Sequence, residues 1–468
     1  MLIIRTPLHR LITICLLMIV LGGCGSAPAA KPTKTHPATR TLTATPTSTT
    51  TIALNADWTT YHGDNARTGY VANMPDPHKL HRTWKAHLDG AVYGSPLVIG
   101  GRVIAVTEGD SLYSLDMHTG QVLWHTNVGT PVPLSTLPCG DIDPLGITST
   151  PVYDPATRLV FAVAEVTGPA HILVGVDVDT GQVKIRRSAD APGMDPRAQQ
   201  QRSALALSQG IVYIGYGGLA GDCGDYHGWV VGLRTEGQGA MLTYQVPTTR
   251  QGGIWAPSGP AVDADGNIYV VTGNGAATQG SWDHSDSVLR LSPGLELEDS
   301  FAPTTWPQEN ANDKDLGSMG PLLLPDGLIF ADGKSGMGYL LKANDLGGIG
   351  GQALGMHVCV SFGGAAAVGS TIFMPCRNGL RQAQVGPGIS LKLGWRARKV
   401  VTGSPVVGGH TVYSLFADQG ILYAFNMNTG ALIAQVRVGK ASHFATPALY
   451  GNYIFVGAFH EVTAVIDS

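Results

Sequence analysis

The chain is built mainly from a repeated unit of about fifty residues, which recurs from about residue 90 onwards. One unit opens at Gly94-Ser95-Pro96 with an apolar stretch, and three more stretches follow at 103–106, 112–116 and 122–124. Short turns separate these stretches, and this alternation predicts four antiparallel strands per unit. Repeats of this length made of four strands are typical of the blades of a β-propeller.

The number of copies predicts how the ring closes. Further units open at the following positions: 150–151, near Ser203, 259–260, 320–321, near Gly364, 403–405 and 446–447. The last unit lacks its fourth strand, whereas Thr83-Trp84-Lys85-Ala86 precedes the first full unit as a strand without partners. Pairing these two pieces would remove the open sheet edges. We therefore predict an all-β, eight-bladed β-propeller of four-stranded antiparallel blades, closed by an N-terminal strand in the last blade. A count of seven blades would require that the weak repeat assigned to blade 6 is not a blade.

Composition agrees with this fold and excludes one class of partner. The 468 residues include 62 Gly and 29 Pro, and only 14% are charged, as expected for many tight turns between strands. The formal net charge of −4 is too small to indicate a nucleic-acid partner.

The N-terminal region predicts export and lipid anchoring. Arg5 and Arg10 precede an uncharged apolar run at 11–21, which is too short to span a bilayer and suits a signal peptide. The run ends in Leu21-Gly22-Gly23-Cys24, which resembles a bacterial lipobox with Cys24 as the lipid acceptor. The alternative is an ordinary cleaved signal with an accidental cysteine.

The segment after Cys24 predicts a tether. Residues 25–56 are dominated by Thr, Pro and Ala and are unable to bury a core, so we expect a disordered stalk. The predicted domains are a lipoprotein signal peptide at 1–24, the stalk at 25–56 and the propeller at 57–468. The propeller would then be extracytoplasmic, anchored to the membrane by lipid, or periplasmic if the cell has two membranes.

Loop lengths predict which face of the propeller binds. The turns between strands A and B of each blade are short, and insertions fall between strand D and the next strand A (129–146, 187–202, 301–316) or between strands B and C (216–228, 274–286). Both classes of insertion emerge on one face, which we name the loop-rich face; the opposite face is the short-turn face. Sites form preferentially in loops on a rigid scaffold.

The positions of the cysteines agree with this assignment of loops to the two faces. Cys15 lies in the apolar signal core, and the repeat register brings Cys139 near Cys223 and Cys359 near Cys376 on the loop-rich face. Two disulfides, 139 to 223 and 359 to 376, suit an oxidising compartment. The alternatives are four free buried thiols or a metal site. The absence of any Cys-x-x-Cys spacing disfavours the metal site.

A sequence pattern within the repeat resembles a known family. The pattern Asp-x-x-Thr-Gly-x-x-x-Trp occurs at Asp116, Thr119, Gly120 and Trp124, and Trp84 and Trp395 occupy the same tryptophan position, although blades 2 and 7 carry Ile185 and Ala434 there. The repeat over residues 58–468 is similar to the pyrroloquinoline-quinone-type propellers, which include quinoprotein alcohol dehydrogenases and the outer-membrane assembly factor BamB. This resemblance implies that each tryptophan wedges between neighbouring blades and that a cofactor, where present, lies on the loop-rich face.

Two classes of function remain open. A quinoprotein dehydrogenase needs calcium and an aromatic floor beneath pyrroloquinoline quinone (PQQ), for which the candidates are Trp255, Trp282, Asp283 and Asp286. The calcium-loop-like segment 263–267 lies at an A–B turn, where Asp-Gly is favoured for backbone reasons.

No catalytic residue and no metal site is predicted, because the chain lacks adjacent cysteines, a Gly-x-Ser-x-Gly motif and a phosphate-binding loop. His227, His284, His443 and His460 are expected near the loop-rich face but on different blades. We favour a binding or scaffolding module without a cofactor, which would contact an envelope protein or a small-molecule ligand through its loop-rich face. The alternative is a dehydrogenase that depends on PQQ and calcium.

Overall fold

The computed structural model describes residues 53–467. The predicted signal peptide, Cys24 and nearly all of the stalk therefore lie outside the described residues. Within the described part, the chain forms eight antiparallel sheets, each built around four strands, and the innermost strands of neighbouring sheets lie against one another. The predicted eight-bladed β-propeller is confirmed, and blade 6 is complete. Between residues 53 and 467, no helix has the length and apolar character needed to cross a membrane.

Strands are labelled A to D from the central axis outwards. In blades 1 to 4 they are, in that order, Leu97–Ile99, Arg102–Thr107, Ser111–Asp116, Val122–Asn127; Val152–Asp154, Leu159–Val166, Ala170–Asp177, Val183–Ser188; Ala206–Ser208, Ile211–Gly218, Trp229–Arg234, Leu242–Gln245; and Ala261–Val262, Ile268–Val271, Val288–Leu291, Leu297–Ala302. In blades 5 to 8 they are Leu322–Leu324, Leu328–Ala331, Met337–Lys342, Leu354–His357; Ala366–Val368, Thr371–Cys376, Gly379–Gly386, Ser390–Arg396; Val406–Gly408, Thr411–Phe416, Ile421–Asn426, Leu432–Arg437; and Ala448–Tyr450, Tyr453–Ala458, Glu461–Asp467, Leu80–His87.

Smaller elements lie between the blades. A short α-helix spans Trp306–Ala311, and 3₁₀ turns span Tyr61–Gly63, Leu134–Thr136, Leu316–Ser318, Pro325–Gly327 and Ala417–Gln419. Three two-residue strands, Tyr70–Val71, Gln199–Gln200 and Gly348–Ile349, extend the sheets of blades 7, 3 and 4. The sequence did not predict the helix or these additions.

Burial on both faces explains why the residues of the inner strands do not alternate between apolar and polar. Strand C of blade 1, Ser111–Asp116, is buried along almost its whole length because both of its faces pack against neighbouring blades. The outer strand Val122–Asn127 instead has exposed residues at most positions. Two-sided burial favours continuous apolar runs, and these runs are the feature that made the repeat visible in the sequence.

The ring closes between the two ends of the propeller, as predicted. Leu80–His87 pairs with Glu461–Asp467 in antiparallel register, with His81 opposite Ile466 and Ala86 opposite Val462. The N-terminal strand thereby becomes strand D of blade 8. Hydrogen bonds between distant parts of the chain thereby complete the fourth strand of blade 8 and cover the outer edge of strand C.

Three tryptophans connect neighbouring blades. The indole N–H groups of Trp84, Trp124 and Trp395 donate to backbone carbonyls of the next blade at 2.8–2.9 Å. The rings lie over the glycines of the following C–D turns, Gly120, Gly181 and Gly430. The predicted wedge between blades is confirmed at all three positions.

Glycine at these turns is required by packing as well as by backbone conformation. Gly120 has a φ of +72°, and a Cβ there would lie 2.6 Å from the Trp84 ring. Gly388, in the C–D turn of blade 6, has a φ of +69° but open space around its Cα. We expect Gly388→Ala to cost about 1 kcal/mol through its backbone alone, and Gly120→Ala about 1–3 kcal/mol more through overpacking. Denaturant unfolding of both variants checks this; equal losses would contradict the wedge.

A segment before the first blade runs around the central axis. Residues 57–71, here named the inner strap, hydrogen-bond to strand A, or to the residue before it, in blades 1 to 7 in turn. The pairs are Trp58 with Val98, Thr59 with Tyr153, Thr60 with Leu205, Asn65 with Val262, Ala66 with Leu323, Thr68 with Ala367 and Gly69 with Val407. The strap thus satisfies backbone groups on the inner edges of the blades.

Polar side chains of the strap fill the centre of the ring. Arg67 is fully buried and donates to the carbonyls of Tyr61, Leu205 and Pro260 and to the Thr60 hydroxyl, at 2.8–3.1 Å. His62 contacts the Arg67 carbonyl at 3.1 Å through Nδ1, and burial lowers the pKa of its imidazole to about 3. The imidazole is therefore neutral at physiological pH. The axis is closed by this cluster.

Candidate ligand-binding site

The two predicted disulfides are both present, joining Cys139 to Cys223 and Cys359 to Cys376. The first connects the loop that enters blade 2 to the B–C loop of blade 3. The second connects the loop that enters blade 6 to the end of strand B of that blade. Both lie on the loop-rich face, where the sequence placed them.

The loop at 129–146 is a small folded unit, here named the cap loop. It brings Val132, Ile142 and Leu145 together with Leu219 of blade 3 in a buried apolar cluster. The backbone N–H of Leu134 donates to the Asp143 carboxylate at 3.1 Å. The disulfide at Cys139 therefore fixes a loop that already has its own core.

The cap loop forms one wall of a pocket above the inner strap, here named the mouth pocket. The pocket has a volume of about 130 Å³ and lies on the loop-rich face between loops of blades 1, 2, 3, 7 and 8. Tyr61 of the strap forms part of its lining, and Tyr93, Phe444 and Phe459 supply aromatic surface. A concave site with apolar walls and a few polar groups is the usual form of a small-molecule site.

One largely buried cation lines the mouth pocket. The Arg202 side chain is 16% exposed and lies 5.4 Å from the centre of the Phe444 ring. Its Nη2 donates to the Gln200 side-chain oxygen at 3.0 Å, while the Asp141 carboxylate is 3.9 Å away and 60% exposed. Burial lowers the pKa of the guanidinium from its very high ordinary value, and arginine stays charged at neutral pH.

Buried acidic residues lie at the interfaces between neighbouring blades near the pocket. Glu108 accepts a hydrogen bond from the Gly146 N–H at 2.7 Å, and Glu165 accepts one from Gln201 N–H at 2.7 Å. Burial raises the pKa values of Glu108 and Asp110 to about 8, so both carboxyls are mainly protonated at neutral pH. Glu165 in strand B of blade 2, and Glu108 directly after strand B of blade 1, each connect their blade to the entry loop of the next.

The Glu108 carboxyl makes stability depend on pH. Because its folded pKa is raised from 4.5 to about 8, the folded state holds a proton that the unfolded chain has lost. Its stabilising contribution is complete below about pH 4.5 and disappears as the pH rises towards about 8. We expect Glu108→Gln to be more stable than the native protein at pH 9, by more than about 1 kcal/mol, and to lose less stability between pH 5 and 9.

The measurement is the free energy of unfolding at pH 5, 7 and 9. Replacing Glu296, which is exposed, by Gln is the matched control and should leave the native pH profile unchanged. Parallel profiles for Glu108→Gln and the native protein would contradict the prediction.

The structure places the two candidate floor tryptophans in different surroundings. Trp255 lies 6.2 Å from the Phe444 ring, with the Lys334 ammonium 5.5 Å from its own ring. Trp282 stacks on His284 at 4.4 Å and donates its indole N–H to Ser287. Of the two, only Trp255 therefore contacts a residue that lines the mouth pocket.

The two candidate calcium ligands also have separate environments. Asp286 is fully buried, accepts the Leu316 N–H at 3.0 Å, and has its pKa raised well above the usual range by burial and by Asp315. Asp283 accepts hydrogen bonds from Ser285. Among residues 53–467, no three His, Cys, Asp or Glu side chains gather in a metal-holding group. The cofactor role of the four candidates stays a prediction.

The remaining sequence-selected residues divide between turns and pocket walls. Asp263 accepts hydrogen bonds from the backbone N–H groups of Asp265 and Asn267, which is the role of a turn residue. His443 lines the mouth pocket, and His460 lines a neighbouring pocket of about 230 Å³ that shares Tyr93 and Asp141 with it. Sequence reasoning missed Arg202, Phe444 and Tyr61, which lie in segments without a repeat motif.

Comparison with known proteins agrees with the repeat and the fold. Residues 81–218 match the family model described as outer membrane protein assembly factor BamB. No curated protein sequence matches the chain. Among solved structures, it is similar to a quinohemoprotein alcohol dehydrogenase from Pseudomonas putida (TM-score 0.68, 14% identity, covering 88% of this chain and 80% of that one).

Two further structures have the same architecture. A europium-containing methanol dehydrogenase gives a TM-score of 0.67 at 13% identity, covering 88% of this chain and 98% of that one. BamB from Moraxella catarrhalis gives 0.57 at 13% identity, covering 83% and 99%. The chain is thus an eight-bladed β-propeller, and the resemblance to the pyrroloquinoline-quinone-type repeat family is confirmed. At these identities the solved structures share the fold, which hosts both enzymes and a non-enzymatic assembly factor.

Proposed function

We propose that this chain is an exported, lipid-anchored propeller that acts as a non-enzymatic binding or scaffolding module at the cell envelope. The observation that carries the proposal is the mouth pocket, a concave site on the loop-rich face with a largely buried arginine and aromatic walls. The two disulfides and the fold shared with BamB support an extracytoplasmic location.

The first residue of the inner strap lies on the short-turn face. The backbone N–H of Gly100, in the A–B turn of blade 1, donates to the Asp57 carboxylate at 2.9 Å. The chain therefore enters the propeller on the short-turn face. A tether beginning at a lipidated Cys24 would attach on this side, opposite the mouth pocket.

The size of the mouth pocket favours a ligand smaller than PQQ. An engineered cavity of about 150 Å³ binds benzene, so a volume of about 130 Å³ corresponds to a single six-membered ring. PQQ has three fused rings and three carboxylates. PQQ would therefore need more space than the mouth pocket alone offers, and the experiment below also tests the dehydrogenase alternative.

The test places a photoreactive phenylalanine analogue at one of two positions in blade 8, in cells. Phe459 lies on the rim of the mouth pocket and is 40% exposed, whereas Asn452 is exposed in the A–B turn on the short-turn face. We expect envelope material to crosslink at Phe459 and not at Asn452. We expect the yield to fall when Cys139 and Cys223 are both replaced by Ser, because the cap loop loses its fixed position.

Equal crosslinking at the two positions would contradict a binding role for the loop-rich face. Cys24→Ser is the control for the anchor, since it should release the protein from the membrane fraction. Adding calcium and PQQ to the purified protein tests the alternative: cofactor absorbance together with a raised unfolding temperature would favour a dehydrogenase.

A further inference from the structure

Large apolar side chains are exposed at the outer edge of the short-turn face. Val122, Val183 and Leu432 are the first residues of strand D in blades 1, 2 and 7, and they are 50%, 40% and 40% exposed. Leu123, which follows Val122, is 47% exposed. These four residues are here named the apolar rim. Isolated exposed apolar residues are common and need no explanation, whereas these recur at one position within the arc from blade 7 to blade 2.

The repeat places the apolar rim in one plane. In each of the three blades, the first residue of strand D pairs with the last residue but one of strand C. This shared register sets the side chains at the same height along the central axis, shortly after the C–D turns. Apolar side chains at one height on the edge of a ring match a flat surface. The interface of a lipid bilayer is a flat surface that accepts such side chains.

The chain enters the ring in the middle of the same arc. The Asn55 side chain lies beside the A–B turn of blade 8, and Asp57 accepts a hydrogen bond from the A–B turn of blade 1. Blades 8 and 1 lie between blades 7 and 2, which carry the ends of the apolar rim. A tether that starts at a lipidated Cys24 would therefore hold this side of the ring, rather than the opposite side, near the membrane.

The tether makes a small contact sufficient. Four partly exposed side chains present too little apolar area to hold a free protein strongly on a bilayer. Residues 25–52 connect the predicted lipid acceptor to the described part of the chain. Such a linkage raises the effective concentration for a second contact to about the millimolar range. A weak apolar contact is therefore occupied for much of the time once the anchor is in the membrane.

We propose that the apolar rim rests on the membrane that carries the lipid anchor, with its four side chains among the lipid headgroups. This contact directs the mouth pocket, on the opposite face, away from the bilayer. The inference rests on the anchor of the proposed function, to which it adds the protein surface that touches lipid.

The experiment uses the lipidated protein in phosphatidylcholine vesicles that contain a nitroxide-labelled phosphatidylcholine. Val122→Cys and Leu432→Cys each add a thiol for an environment-sensitive fluorophore, while the cysteines of the propeller stay in their disulfides. Leu297→Cys is the matched control, because Leu297 is the first residue of strand D in blade 4, is 38% exposed, and lies across the ring from blade 8. We expect quenching at 122 and 432 to be at least about threefold stronger than at 297. Equal quenching at the three positions, or quenching at none, would overturn the proposal.

A charge in the rim tests whether its apolar character makes the contact. Leu123→Asp should reduce the quenching of the fluorophore at 432 and leave the unfolding temperature unchanged, whereas Leu297→Asp should alter neither. Unchanged quenching in Leu123→Asp would also overturn the proposal. Flotation of the native protein with the vesicles reports the anchor separately. If the protein does not float, the anchor and the contact both fail; if it floats without selective quenching, the contact alone is wrong.

Discussion

Replacing residues 80–87 by a Gly/Ser linker of equal length should abolish cooperative unfolding and cause aggregation. These residues form the whole of strand D in blade 8, and they pair with Glu461–Asp467 along their length. Their loss removes the buried Leu80 and Trp84 from the core and exposes the edge of strand C. An unpaired apolar edge strand is a template for association with other chains. Far-UV circular dichroism on heating, together with light scattering, measures both effects.

A matched control separates ring closure from the loss of any outer strand. Replacing Ser390–Arg396, strand D of blade 6, by a linker also leaves a three-stranded blade, but the N- and C-terminal parts of the ring stay joined. We expect this control to unfold at a lower temperature than the native protein and still cooperatively. If the two replacements unfold alike, closure by the N-terminal strand contributes no more to cooperative unfolding than any other outer strand does.

The repeat allowed the blades and their closure to be predicted from the sequence. Gly or Pro before most of the A strands, and the Thr-Gly turns before Trp124, Ile185 and Ala434, recur because the blades have the same local geometry. Trp84 occupies the tryptophan position without a blade of its own, which indicated that its strand completes another blade. Regular structure that repeats leaves a repeated pattern, and a single sequence is sufficient to detect it.

The inner strap was not predictable in this way. Its contacts with seven blades are made largely by backbone atoms, which carry no sequence signature. His62 and Arg67 are polar, and a composition-based interpretation places such residues at the surface. Their burial depends on carbonyl groups contributed by distant blades. Only the assembled ring brings these carbonyl groups together.

The candidate site was predictable only as far as the face on which it lies. Loop lengths predicted a binding surface on the loop-rich face, and the register of the repeat paired Cys139 with Cys223. The conformations within the loops do not follow the repeat, so the approach of Arg202 to Phe444 had no signal in the sequence. For the same reason, the proximity of Trp282 to Asp286 along the chain did not show whether they share a site with Trp255.

Arg67→Met should cost more than about 3 kcal/mol of the free energy of unfolding. Methionine retains much of the apolar volume but donates no hydrogen bond, so the carbonyls of Tyr61 and Pro260 lose a donor in a fully buried place. Each buried carbonyl left without a partner costs about 1–3 kcal/mol. Arg67→Lys, which keeps the charge but has fewer donors, should lie between the native protein and Arg67→Met.

The control for this substitution is Arg158→Met. Arg158 is an exposed arginine paired with Asp179, and surface ion pairs contribute little to stability. Guanidinium denaturation of the four proteins at pH 7 ranks their free energies of unfolding. The inner strap stabilises the ring only if the loss at Arg67 is several times the loss at Arg158; similar losses would show that the strap fills the axis without holding the blades together.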